Sequence, residues 1–235
     1  MKLSTCRILF AAAILSAATL SGTANGGAVN ISNPFGSFNV QAKSLHEMRW
    51  DSVIRQKYDF SCGSAAVATL LSFHYNRPTD EETVFQAMIK VGDREKIQRN
   101  GFSMLDMKRY LDSQGFRSDG FKISLDKLIK IGMPGITLLN TQGYKHFVVI
   151  KGLSDDHVLI ADPAVGSVVV PREFFKTIWN GAILGARSFV DVAKENFNSD
   201  RDWRIRPRSP IDQGVGRTGL GALLLNIPGR NELGK

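Results

Sequence analysis

The stretch KHFVVIKGLSDDHVLIADP, residues 145–163, holds two apolar runs joined across a turn at Leu153 to Asp156. Each run is rich in Val, Ile and Leu and too short for an ordinary helix, so the pair reads as an antiparallel β-hairpin. A turn centred on Ser154 sets residue 146 opposite residue 162, and those positions are His146 and Asp162. Directly opposed residues share a face with Cβ atoms about 4.5–5.5 Å apart, so this register hands the imidazole a carboxylate. A slip of one residue would send the two to opposite faces, which makes the register a sharp expectation.

Outward from the hairpin, GITLLN at 135–140 and SVVVP at 167–171 read as further strands, and FRSDGFKI at 116–123 as a short strand with a turn. The chain before them reads as helices. From Cys62, Ala66, Leu70 and Phe73 recur at helical spacing, and the run ends before Pro78. Thr79-Asp80-Glu81-Glu82 is a capping-box pattern opening a second helix. A third starts near Ser103, carries Met104, Met107 and Leu111 on one face and stops at Gly115, and SLDKLIKIG at 124–132 is another short one. Helices first and an antiparallel sheet second is the α+β ordering.

Met1-Lys2 to Arg7 is basic, Ile8 to Leu20 is apolar, and small residues follow to Gly27. This is the pattern of a cleaved secretory signal peptide, too short for a comfortable membrane span, with cleavage expected after Ala24 or Gly26. The expected organisation is a signal over 1–26, an extended N-terminal arm over 27–48, one domain over 49–190, and a basic, Gly-rich tail over 191–235 outside the catalytic core. Of the chain's two cysteines, Cys6 leaves with the signal and Cys62 stays. A lone thiol sent to an oxidising compartment points to intermolecular pairing, a buried inert side chain or a reactive group. The net charge of +8 comes without a basic block interleaved with aromatics, so no nucleic-acid partner is expected.

In RQKYDFSCGSAAVATLL, residues 55–71, Cys62 stands where a helix begins. Free N–H groups and the helix dipole favour a thiolate there, the form in which sulfur is nucleophilic. His74 lies about 18 Å further along the same helix at 1.5 Å rise per residue, out of reach of Cys62. His46 falls in an irregular region and His157 in a turn, which leaves His146 as the base. Asp162 would fix its orientation and tautomer. Gln56 is a candidate side-chain donor to an oxyanion hole, beside the backbone N–H of Cys62. This chemistry calls for no cofactor and no metal.

The order Gln56, Cys62-Gly63, GFSMLDMKRYLDSQGF at 101–116, MPGITLL at 133–139, HFVVI at 146–150 and Asp162-Pro163 resembles the double-glycine leader peptidases. These are papain-like cysteine proteases often fused to bacteriocin-exporting ABC transporters. The resemblance runs from about Arg55 to Ile183. It implies a papain-like fold with N-terminal helices packed on an antiparallel sheet, Cys62 as nucleophile, His146 as base, Asp162 as orienting residue and Gln56 as oxyanion donor. One departure is Ser61, where many members carry an acidic residue before the cysteine; Asp59 lies two positions earlier. Another is that no Walker-type loop and no long apolar span follow the signal. The chain is similar in this to the stand-alone periplasmic member of functional-amyloid export systems. The implied activity is cleavage of a secreted polypeptide, after a Gly-Gly pair in the leader-peptidase case. A secretion pore or amyloid subunits are the implied partners. A non-catalytic substrate-holding adaptor and a cell-wall amidase are the alternatives.

Overall fold

The computed structural model describes residues 27–33 and 36–206; the signal-like segment 1–26 and the stretch 207–235 lie outside them. The chain divides into two units, the second beginning at Ser44. In the first, β1 (Ala28–Asn33) and β2 (Gly36–Gln41) pair antiparallel, with Asn33 facing Gly36. The stretch expected as an extended arm is therefore a hairpin, because its backbone groups pair with each other instead of with water. Its boundary precedes Ser44 and does not wait for residue 48.

The second unit opens with the short helix α1 (Leu45–Met48), capped by Ser44 and Glu47. Helix α2 (Cys62–His74) is buried at every position except Ser72 and Phe73. A helix buried all round belongs at the centre of a core, and its Ala, Gly and Ser let neighbours approach closely. Helices α3 (Glu81–Val91) and α5 (Met104–Ser113) pack on it, with α4 (Arg94–Asn100) between them. The cap of α3 is Asp80, which accepts from the Thr83 N–H at 2.9 Å. Thr79, the expected cap, spends its hydroxyl on the Arg77 carbonyl at 2.8 Å. Helix α5 starts on the Ser103–Asp106 capping box and buries Met107 and Leu111 as expected, together with Tyr110, whereas Met104 is only partly buried. Helix α4 escaped the apolar pattern because Ile97 is its single buried residue.

The sheet is built from β3 (Ser118–Lys122), then, past helix α6 (Leu125–Ile131), β4 (Gly135–Thr141), β5 (Tyr144–Leu153), β6 (His157–Asp162) and β7 (Gly166–Pro171). Helix α7 (Arg172–Ile178) returns the chain to β8 (Trp179–Ala186), which slots between β3 and β4. The order is β3-β8-β4-β5-β6-β7, and every pairing is antiparallel. Neither α7 nor β8 was separated out by sequence pattern. Gly135 allows the close approach of β8, since a Cβ there would lie 2.6 Å from Ile183 Cγ1. Phe147, Val149 and Ala161 join the core around α2, whereas Val148, Ile150 and Ile160 join a second core with Leu128 and Phe175. Both faces are covered, which is why HFVVI is an unbroken apolar run and not an alternating one.

The hairpin's register differs from the expected one. Leu153 faces Val158 and Gly152 faces Leu159, but Ile150 faces Ile160 and Val149 faces Ala161, so Lys151 is an extra residue on β5. The turn runs from Ser154 to His157, closed by the Ser154 N–H on the His157 carbonyl at 2.9 Å. Continuing the ladder places Asp162 opposite Val148, diagonal to His146 instead of facing it. The shift of two leaves both side chains on the same face. Without the bulge, the pairing next to the turn would bring Asp162 opposite Val149 and turn it away from His146.

The expected boundary at residue 190 does not hold. Helices α8 (Val190–Glu195) and α9 (Asp200–Trp203) pack on the domain: Ala193 and Phe197 are buried in its two cores. His74 at the end of α2 meets the Asn196 carbonyl through Nδ1 at 3.2 Å. Its burial, with Lys151 nearby, lowers its pKa from 6.5 to about 4, so the ring is neutral at pH 7. The polar composition that marked 191–206 as tail covers a few apolar anchors and specific polar contacts, which composition averages away.

Candidate active site

Cys62 begins α2 and is 8% exposed. The loop before it is held by a carboxylate from another helix. Glu81, buried in the first turn of α3, accepts from the Lys57 N–H at 3.0 Å and from the Ser61 hydroxyl. The Ser61 oxygen in turn accepts from the Tyr58 N–H at 3.1 Å. The acid absent from position 61 is thus present in space, delivered by Glu81. Glu81→Ala would leave the Lys57 N–H and the Ser61 hydroxyl without that partner, and is expected to cost about 1–3 kcal/mol in urea unfolding. An unchanged midpoint would show that Glu81 does not anchor the loop. Gly63, next to the cysteine, is tightly packed: a Cβ there would stand 3.0 Å from Phe102 Cβ, so Phe102 would have to yield by a few tenths of an ångström.

His146 lies near the start of β5, with Nε2 2.7 Å from Asp162 Oδ1. The same carboxylate oxygen accepts from the Ala164 N–H at 2.8 Å, which fixes the carboxylate by a local turn. The other ring nitrogen, Nδ1, is buried and without a hydrogen-bond partner. Burial alone would push the ring's pKa down, but Asp162 and the adjacent Cys62 outweigh it and raise it from 6.5 to about 9. With the folded value above the unfolded one, the interaction stabilises the fold fully below pH 6.5 and is lost as pH climbs through about 9. Tyr144, 61% exposed, stacks on the His146 ring with centroids 5.8 Å apart.

Gln56 joins this cluster through its backbone: its N–H donates to the Pro163 carbonyl at 3.0 Å, tying it to the turn after Asp162. Its side-chain Nε2 donates to the Tyr58 carbonyl at 3.1 Å, leaving one amide hydrogen uncommitted, and Oε1 is buried without a partner. Beside Cys62 a groove of about 720 Å³ is lined by Phe60, Phe102, Leu138, Tyr144 and Phe147 among others. The remaining histidines sit elsewhere: His46 is exposed on α1, His74 is at the far end of α2 and His157 begins β6. Glu81 and Tyr144 were missed from sequence. Tyr144 stands two residues before His146 on one strand, so strand alternation would have found it.

A cysteine at a helix start, an imidazole held by a carboxylate, and helices set against an antiparallel sheet define a papain-like cysteine peptidase. The chain belongs to the Peptidase C39 family, which matches residues 51–188. It is similar to the Pseudomonas aeruginosa protein described as "Probable functional amyloid protease FapD", 42% identical over 144 residues, covering 61% of this chain and 64% of that protein. The Pseudomonas fluorescens protein of the same description is 43% identical over 148 residues, covering 62% and 66%. The chain thus spans just under two thirds of the length of these relatives. Among solved structures, a double glycine motif protease from an AMS/PCAT transporter in complex with its leader peptide is 30% identical. That likeness has a TM-score of 0.48 and covers 57% of this chain and 89% of the other.

Proposed function

We propose that the protein is an exported cysteine endopeptidase in which Cys62 attacks a peptide bond of a secreted polypeptide. His146 takes the thiol proton and returns it to the leaving amine, and Asp162 holds the ring. The observation that carries this reading is the 2.7 Å contact of His146 Nε2 with Asp162, in a ring that also interacts with Cys62 and whose Nδ1 is buried. Attack on the carbonyl gives a tetrahedral oxyanion, then a thioester that water hydrolyses. Gln56 and the Cys62 N–H are the proposed oxyanion donors, each worth about 2.7–4 kcal/mol by analogy with other acyl-transfer sites.

The basic, apolar and small-residue order of 1–26 supports export to the periplasm, and among the described residues no helix is long and apolar enough to cross a membrane. The FapD similarity supports a functional-amyloid subunit as substrate, and the motif order shared with the double-glycine leader peptidases supports cleavage after Gly-Gly, with a secretion pore as the proposed neighbour. Mass spectrometry of exported proteins from cells carrying the wild-type or the Cys62→Ala chain tests all of this at once. A protein whose new terminus appears only with the wild type identifies substrate and bond. Identical sets of termini would overturn the peptidase reading.

A further inference from the structure

The C39 match ends at residue 188, yet the chain goes on to lay α8 and α9 against the domain. The segment between and within these helices closes on the bulge of β5. The Asn198 N–H donates to the Lys151 carbonyl at 3.0 Å. Its side chain acts as a substitute strand for Leu153, accepting from the Leu153 N–H at 2.6 Å and donating to the Leu153 carbonyl at 3.0 Å. Gly152 admits it, since a Cβ there would stand 2.6 Å from Asn198 Oδ1 and 3.2 Å from Trp203 Nε1.

The bulged residue itself is an ammonium with no access to water. Lys151 is 0% exposed and Asp202, from α9, accepts from its Nζ at 2.9 Å. The Ser52 hydroxyl joins the pair, accepting from Lys151 and donating to Asp202 at 2.6 Å. Lys151 Nζ also reaches Ser167 Oγ at 3.3 Å, on the strand whose first residue, Gly166, faces Asp162. A buried charge persists only when paired and hydrogen-bonded, and here the carboxylate comes from beyond the family match. The bulge is also what keeps Asp162 on the His146 side of the hairpin.

We infer that residues 196–203 form a clamp that holds the β5 bulge at Lys151, and with it the register in which His146 meets Asp162. Asn198 and Asp202 are then positioning residues for the site, and this role rests on the peptidase reading above. The clamp acts on alignment, so it should be visible at the imidazole itself. Two variants of the full chain test it, Asn198→Ala and Asp202→Asn, each followed by thermal unfolding, steady-state kinetics and NMR titration of the His146 ring.

The expected result is a kcat lower by roughly 10–100-fold with KM changed by less than about twofold, as misplacement of reacting groups by an ångström produces. The His146 midpoint should move from about 9 toward 6.5. Asn198→Ala alters no charge, so a shifted midpoint in that variant reports geometry alone, and it carries the test if Asp202→Asn does not fold. A lower melting temperature with the midpoint still near 9 and kcat intact would overturn the clamp and leave a purely structural contact. His146→Ala is the control: normal turnover in that variant would sink the triad reading, whatever the titration of the clamp variants shows.

Discussion

Cys62→Ala is expected to lower kcat by roughly 10⁴-fold or more, as removal of the nucleophile does where it acts as one unit with its base. The fold should survive, because the change removes one sulfur atom from a nearly buried position and inserts the residue type that helices favour most. Helix α2 is already dense in alanine at 65, 66 and 68, so the replacement suits its surroundings. Purified protein should therefore show an unfolding midpoint close to the wild type and no turnover of a peptide spanning the cleaved bond. Residual activity within tenfold of the wild type would remove Cys62 from the chemistry.

The second large effect is expected at Asp162. Asp162→Asn keeps the shape and can still accept from the Ala164 N–H, yet removes the charge that holds His146 protonated. In a triad whose orienting carboxylate is replaced by an amide, kcat falls by about 10⁴-fold, and a loss of roughly 10²–10⁴-fold is expected here. The pH profile gives the sharper check. An imidazole with a pKa of about 9 stays protonated up to that pH, so the alkaline limb of kcat/KM should lie near 9 in the wild type. Loss of the carboxylate lowers the ring's pKa, and the limb should move toward 6.5. A limb that stays near 9 in Asp162→Asn would mean that Asp162 does not set the charge of His146.

Much of the site was legible because its signals are local. A cysteine at a helix start, an apolar run opened by a histidine, and an Asp-Pro at the end of the next run are read from neighbours in sequence. The hairpin exposed the limit of such reading. Its parity was right and its register was not: the turn is centred between Asp155 and Asp156 instead of on Ser154, and the bulge at Lys151, which looks like an ordinary strand residue, restores the parity that this displacement alone would have lost. A lysine inside VVIKGL was a signal of something unusual, but its carboxylate lies at Asp202 and its hydroxyl at Ser52, too distant in sequence to be paired by any spacing rule. The same holds for Glu81, whose link to Ser61 crosses from one helix to the loop before another.

What the sequence determined by itself was the set of candidate site residues, the order of helices before strands, and the family resemblance, all of which depend on short-range patterns of charge, size and polarity. The tertiary structure decided the insertion of β8 between β3 and β4, the inclusion of 191–206 in the domain, and the bulge that turns Asp162 toward His146. The physical reason is common to these three. Each depends on partners far apart in the chain, and a buried strand edge, apolar side chain or ammonium shows what it requires but not which distant residue will supply it.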